Sequence, residues 1–105
     1  MRAELLEMVG GDTEVLREIV GLFLEDVPMR LAALSEALHE GDLTATYRAA
    51  HTLKGAAGNF GVPAIMQAAL AVEQQAKGGD LAAARQAAAA LEDQIAVLVQ
   101  ELKEL

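Results

Sequence analysis

The chain has no cysteine and no tryptophan, and only one tyrosine and two phenylalanines in 105 residues. Without cysteine there is no disulfide framework and no thiolate chemistry. Aromatics at 3% argue against a β-sandwich, because strands favour aromatic and β-branched side chains. Basic charge is scarce: eight Lys and Arg stand against sixteen Asp and Glu, a formal net charge of −8. A field of that sign repels nucleic-acid phosphates and anionic lipid, so neither nucleic acid nor a membrane surface is an expected partner. No apolar run approaches the roughly 20 residues that span a bilayer. Met1 to Val9 include Glu4 and Glu7 and lack the apolar centre of a signal peptide. A cytoplasmic setting is the expectation. No glycine loop of the nucleotide-cradling kind is present either, so a kinase activity would have to reside elsewhere in a parent protein.

What the chain does have is small and helix-forming. Hydrophobic residues make up 53% of it, Ala and Leu above all, and these two lead the helix propensities. The length suits one domain, 1–105, with one modest core. A junction recurs at Gly10-Gly11-Asp12, Gly41-Asp42 and Gly78-Gly79-Asp80. Gly closes a helix by taking the left-handed conformation cheaply, and Asp opens the next by accepting free N–H groups. On this reading Asp12, Asp42 and Asp80 are caps, not a metal site. A further break, Gly58-Asn59-Phe60-Gly61-Val62-Pro63, places Pro63 at a first helical position, with Phe60 plugging the bundle. Pro28 predicts a kink or restart near Val27. His39, in the last turn before Gly41, complements the helix dipole and reads as structural.

Between the breaks, apolar residues recur with helical spacing. The stripes are Val15, Ile19, Phe23; Leu31, Leu34, Leu38; Leu43, Tyr47, Ala50, Leu53, Ala57; and Ile65, Ala69, Val72, Ala76. Another runs Leu81, Ala84, Ala88, Leu91, Ile95, Leu98, Leu102, Leu105. Short turns between such segments force antiparallel neighbours. The expected fold is an all-α, antiparallel up-and-down four-helix bundle with a short extra N-terminal helix. The expected helices are about 2–9, 12–26, 28–40, 42–58, 63–77 and 80–104. The last stripe could instead serve as a coiled-coil seam for self-association, although the fourth helix of a bundle needs the same pattern.

The 42–58 segment carries the chemistry. Opposite its apolar stripe lie Arg48, His51, Lys54, Gly55 and Gly58. A glycine in a helix body costs about 1 kcal/mol relative to Ala. Gly58 can begin the exit turn, but Gly55 has no such explanation. Helical side chains tilt toward the N-terminus, so the residue one turn after His51 would overhang it; glycine there leaves the imidazole uncovered. Arg48 and Lys54 stand one turn to either side, within reach of an anion on the ring. A bare, locally cationic patch on an acidic protein suits a phosphorylated or acidic partner. Neutral imidazole is a nucleophile near pH 7, provided one ring nitrogen is held as a donor so that the other presents its lone pair. Glu73, where the Met66–Leu70 edge would otherwise continue apolar, is the candidate to hold it. Such a set can carry a phosphoryl group but cannot cleave ATP, since nothing cradles nucleotide phosphates or binds Mg²⁺. No cofactor or metal is expected.

The run His51-Thr52-Leu53-Lys54-Gly55-Ala56-Ala57-Gly58-Asn59-Phe60-Gly61 resembles the signature of the histidine-containing phosphotransfer (HPt) family of two-component phosphorelays, and the likeness extends across nearly the whole chain. The resemblance implies phosphorylation of His51 on Nε2 by a receiver aspartyl-phosphate or a kinase, then donation to a receiver aspartate. It implies that Lys54 assists with phosphoryl charge, that Gly55 admits the receiver, and that Glu73 bonds the other ring nitrogen. The expected partners are response-regulator receiver domains and a histidine kinase in cis or in trans. The alternative is a non-catalytic helical adaptor or dimerisation bundle in which His51 is incidental.

Overall fold

The aspartates that follow the glycine breaks do start the helices. In the computed structural model, which describes residues 1–105, the Asp12 carboxylate accepts from the N–H groups of Glu14 and Val15 at 3.0 and 3.2 Å. Asp42 accepts from Ala45 and Asp80 from Ala83, each at 3.0 Å. Each satisfies N–H groups that the first turn leaves without an intrahelical partner. The closing signal works equally well at Gly41, whose φ of 70° is left-handed. There the Asp42 N–H reaches the Ala37 carbonyl at 2.9 Å and the Gly41 N–H that of Leu38 at 3.2 Å, a paired closure that uses up two free carbonyls.

Five helices result: α1 (Arg2–Met8), α2 (Thr13–Glu40), α3 (Leu43–Gly58), α4 (Pro63–Lys77) and α5 (Leu81–Lys103). Each of the four long helices packs on its chain neighbour, α5 closes against α2, and α1 lies on α2 at one end. The architecture is thus the expected all-α up-and-down bundle with an extra N-terminal helix. No helix is long and apolar enough to cross a membrane.

Two expectations need correction. The boundary between helices 12–26 and 28–40 does not exist: α2 runs unbroken through Pro28. Pro28 is exposed while Val27 and Leu34 are buried, so packing on either side holds both halves in line although one backbone hydrogen bond is missing. The stripe on the first half of α2 is also displaced. Its buried residues are Leu16, Val20, Phe23 and Val27, whereas Val15 is exposed and Ile19 half-buried. Two adjacent apolar rows, 15-19-23 and 16-20-23-27, fit the helical period, and it is the packing of α2 against α3 and α5 that selects between them.

The core is made of Leu34, Leu53, Ile65, Val72, Leu91, Ile95 and Leu98, all fully buried. Phe60 plugs one end of the bundle, edge-on to Phe23 with ring centroids 4.9 Å apart. The α5 stripe from Ala84 to Leu102 is consumed inside this core, so the seam that favoured an adaptor or dimerisation reading is not free. At the opposite end Arg85 on α5 donates to the Leu38 carbonyl at 2.9 Å, tying α5 to the C-terminal turn of α2.

Replacing Pro28 by Ala restores the missing helical hydrogen bond and is expected to raise stability by about 1–3 kcal/mol. A chemical denaturation midpoint checks this, and a lowered midpoint would show that the proline is needed for the shape of α2.

Candidate functional site

The short turn from Gly58 to Pro63 returns the chain so that α4 lies antiparallel along α3. That register sets His51 and Lys54 of α3 opposite Glu73 of α4. The apolar positions of the two helices, Ala50, Leu53 and Ala57 against Ile65, Ala69, Val72 and Ala76, are buried and fix the approach. Glu73 sits at the margin of this interface and is only 5% exposed, the one charged residue buried in the protein.

Burying a carboxylate is costly unless opposite charge and hydrogen bonds compensate it. Lys54 provides the charge: its Nζ lies 2.7 Å from Glu73 Oε1, and its side chain is 23% exposed. The approach is close but off-line, and Oε1 has no donor with hydrogen-bond geometry. The same oxygen lies 3.5 Å from His51 Nδ1. One carboxylate oxygen therefore faces both an ammonium and an imidazole nitrogen, and remains open to a directed N–H from the ring.

The imidazole itself is 63% exposed. With Nδ1 turned to Glu73, Nε2 is the nitrogen left to the outside. Gly55 meets nothing within 4 Å of where a Cβ would stand, and its φ is not left-handed. Neither internal packing nor backbone conformation calls for glycine at this point. A Cβ on Gly58 would make only ordinary contact, 3.9 Å from Met66 Sδ. Arg48 is exposed on the crest of α3 and enters no ion pair.

His51, Lys54 and Glu73 are thus brought together, with Gly55 and Gly58 along the same face and Arg48 beside it. Lys54, expected within reach of an anion on the ring, is folded onto Glu73. Two features escaped the sequence reading. An open groove of about 610 Å³ adjoins the glycine face, floored by Ile19, Phe23, Ala56 and Phe60 and flanked by Leu22 and Met29. The last two are 66% and 70% exposed; their only signal in the sequence was apolar residues outside the core stripe. The second is Tyr47, assigned above to the core stripe but half-buried beside His51.

The Lys54–Glu73 pair is expected to be asymmetric. Lys54→Met strands a buried carboxylate and should cost about 1–3 kcal/mol, whereas in Glu73→Leu the lysine can reach water and the loss should be smaller. The double variant should recover most of the Lys54→Met loss. A thermodynamic cycle measures all three, and equal single losses with no recovery would contradict the pairing.

Searches among curated proteins and among solved structures returned no match. A family model, however, matches residues 18–101, from the first half of α2 to the end of α5, and its description is Hpt domain. The match takes in the whole α3–α4 face and four of the five helices, and on it the chain belongs to the Hpt domain family, the phosphotransfer modules of phosphorelays, which carry phosphoryl groups rather than catalyse.

Proposed function

We propose that His51 is the phosphoryl acceptor of this module, that it takes the group from a receiver aspartyl-phosphate or a histidine kinase, and that it hands it on to a receiver aspartate. The observation that carries this reading is the exposed imidazole backed by one buried carboxylate, 3.5 Å from Nδ1. A carboxylate at that nitrogen favours the tautomer with the proton on Nδ1 and leaves the Nε2 lone pair free. In the accepting step the Nε2–P bond forms as the acyl O–P bond of the aspartyl-phosphate breaks, and that bonding pair returns to the aspartate carboxylate. The Nδ1 proton stays between the ring and Glu73, which offsets the positive charge gained by the imidazole. Donation is the reverse with a second aspartate. Lys54, one turn from His51 and already at the site, stabilises the phosphoryl oxygens.

The face around His51 suits a docked domain better than a small substrate. Gly55 and Gly58 leave α3 bare, and the adjoining groove between α2 and α3 exposes Leu22 and Met29. Apolar contact beside a polar reacting centre is the composition of a protein interface. Arg48 adds positive charge at the margin. The parts needed to cleave a nucleotide would come from the partner or from a parent protein.

Incubation with a phosphorylated receiver should give an acid-labile, base-stable label that His51→Gln abolishes; a label that survives that substitution defeats the assignment. Gly55 gives a second test in which stability and function part company. Gly55→Ala fills empty space and should stabilise the isolated domain by about 1 kcal/mol, yet slow transfer from a receiver. Gly55→Leu should slow it far more. Unaltered transfer in Gly55→Leu would refute docking on this face.

A further inference from the structure

The carboxylate does not hold the imidazole by itself. Glu73 Oε1 lies 3.5 Å from His51 Nδ1 and 2.7 Å from Lys54 Nζ. The longer separation is at the outer limit of a hydrogen bond. An imidazole that is 63% exposed and has no firmer anchor would exchange among rotamers on a ps–ns timescale. A second neighbour of the ring stands on its own helix. Tyr47, one turn earlier, lies parallel to the imidazole within 7°, with centroids 6.1 Å apart, inside the range of offset aromatic pairs. The pairing follows from helix geometry, since side chains lean toward the N-terminus and His51 therefore leans over the residue one turn before it.

Tyr47 is held in turn from α4. Lys77 Nζ stands 6.0 Å from the centroid of its ring, within reach of the ring quadrupole. Lys77 is one turn beyond Glu73, and Tyr47 is one turn before His51. In an antiparallel pair of helices these are successive rungs: His51 faces Glu73, and Tyr47 faces Lys77. The Tyr47 hydroxyl takes part in no hydrogen bond, so what the residue contributes at this site is its flat ring.

We propose that Tyr47 is a positioning residue for phosphotransfer: its ring, braced by Lys77, fixes the plane of the His51 imidazole so that Nδ1 faces Glu73 and Nε2 faces the partner. The role rests on His51 being the acceptor, and the experiment separates the two claims. The full chain and its Tyr47→Phe, Tyr47→Leu and Tyr47→Ala variants are phosphorylated by phosphoramidate, a small donor that needs no docking, and by a phosphorylated receiver. Three-bond couplings of His51 report its χ1 distribution by NMR, and NOEs from its ring protons to the Tyr47 ring report the plane of the imidazole. Tyr47→Ala and Tyr47→Leu should slow phosphorylation by both donors about three- to tenfold, the rate equivalent of a lost aromatic pair, and should show averaged couplings. Tyr47→Phe should keep the parent rate and a single rotamer. Circular dichroism checks that the helices persist.

The proposal is overturned if Tyr47→Ala leaves either the rates or the couplings unchanged. It is overturned equally if Tyr47→Phe is as slow as Tyr47→Ala, which would assign the role to the hydroxyl. Slowing with the receiver alone would overturn it too, by making Tyr47 a docking residue. A label that persists in His51→Gln would defeat the acceptor assignment whatever Tyr47 does.

Discussion

The site depends on one buried carboxylate. Glu73 is an acidic residue, almost wholly buried and placed at the seam between α3 and α4. Its desolvation has to be met by groups on the facing helix, and those that meet it are Lys54 and His51. Side-chain geometry at the site therefore follows from the register of two antiparallel helices. The Gly58–Pro63 turn and the interlocked Ala, Leu, Ile and Val positions set that register. A slip of one residue would turn Glu73 into the core or away from His51, so packing of the bundle and alignment of the imidazole are a single requirement.

On the proposed function, Lys54 would connect the resting arrangement with the loaded one. Without a phosphoryl group the nearest anion to its ammonium is Glu73, at 2.7 Å. A phosphoryl group on Nε2 would present a second, more highly charged anion to the same flexible side chain. Lys54 would then be drawn outward and Glu73 left to the Nδ1 proton. The two anions would compete for one cation, and the carboxylate could change partner without backbone movement. The bare glycine face costs helix stability without serving internal packing, and on the proposed function it would benefit a body arriving from outside.

Much of this was legible in the sequence, for identifiable physical reasons. The caps at Asp12, Asp42 and Asp80 and the left-handed Gly41 depend on local backbone chemistry, which a few consecutive residues determine. The proximity of His51, Lys54 and Gly55 on one helix follows from its pitch, and Glu73 was conspicuous because it interrupts an apolar edge. What escaped depends on tertiary placement. Pro28 signals a break locally, but burial of Val27 and Leu34 on either side carries the helix through. The rows beginning at Val15 and Leu16 satisfy the same period, and the sequence offers no means to choose between them. Tyr47 looks like one more core residue at helical spacing; its relation to His51 appears only once both rings have rotamers. The pairing of Lys54 was hidden because a long, flexible side chain can meet any anion within reach.

The central claim is that a carboxylate behind His51 holds the proton on one ring nitrogen and leaves the other to carry the phosphoryl group. The most direct measurement is a phosphorus–nitrogen correlation by NMR on the ¹⁵N-labelled, phosphorylated protein. The account predicts coupling of phosphorus to Nε2 of His51, with Nδ1 protonated. Coupling to Nδ1, or to any residue other than His51, would contradict it.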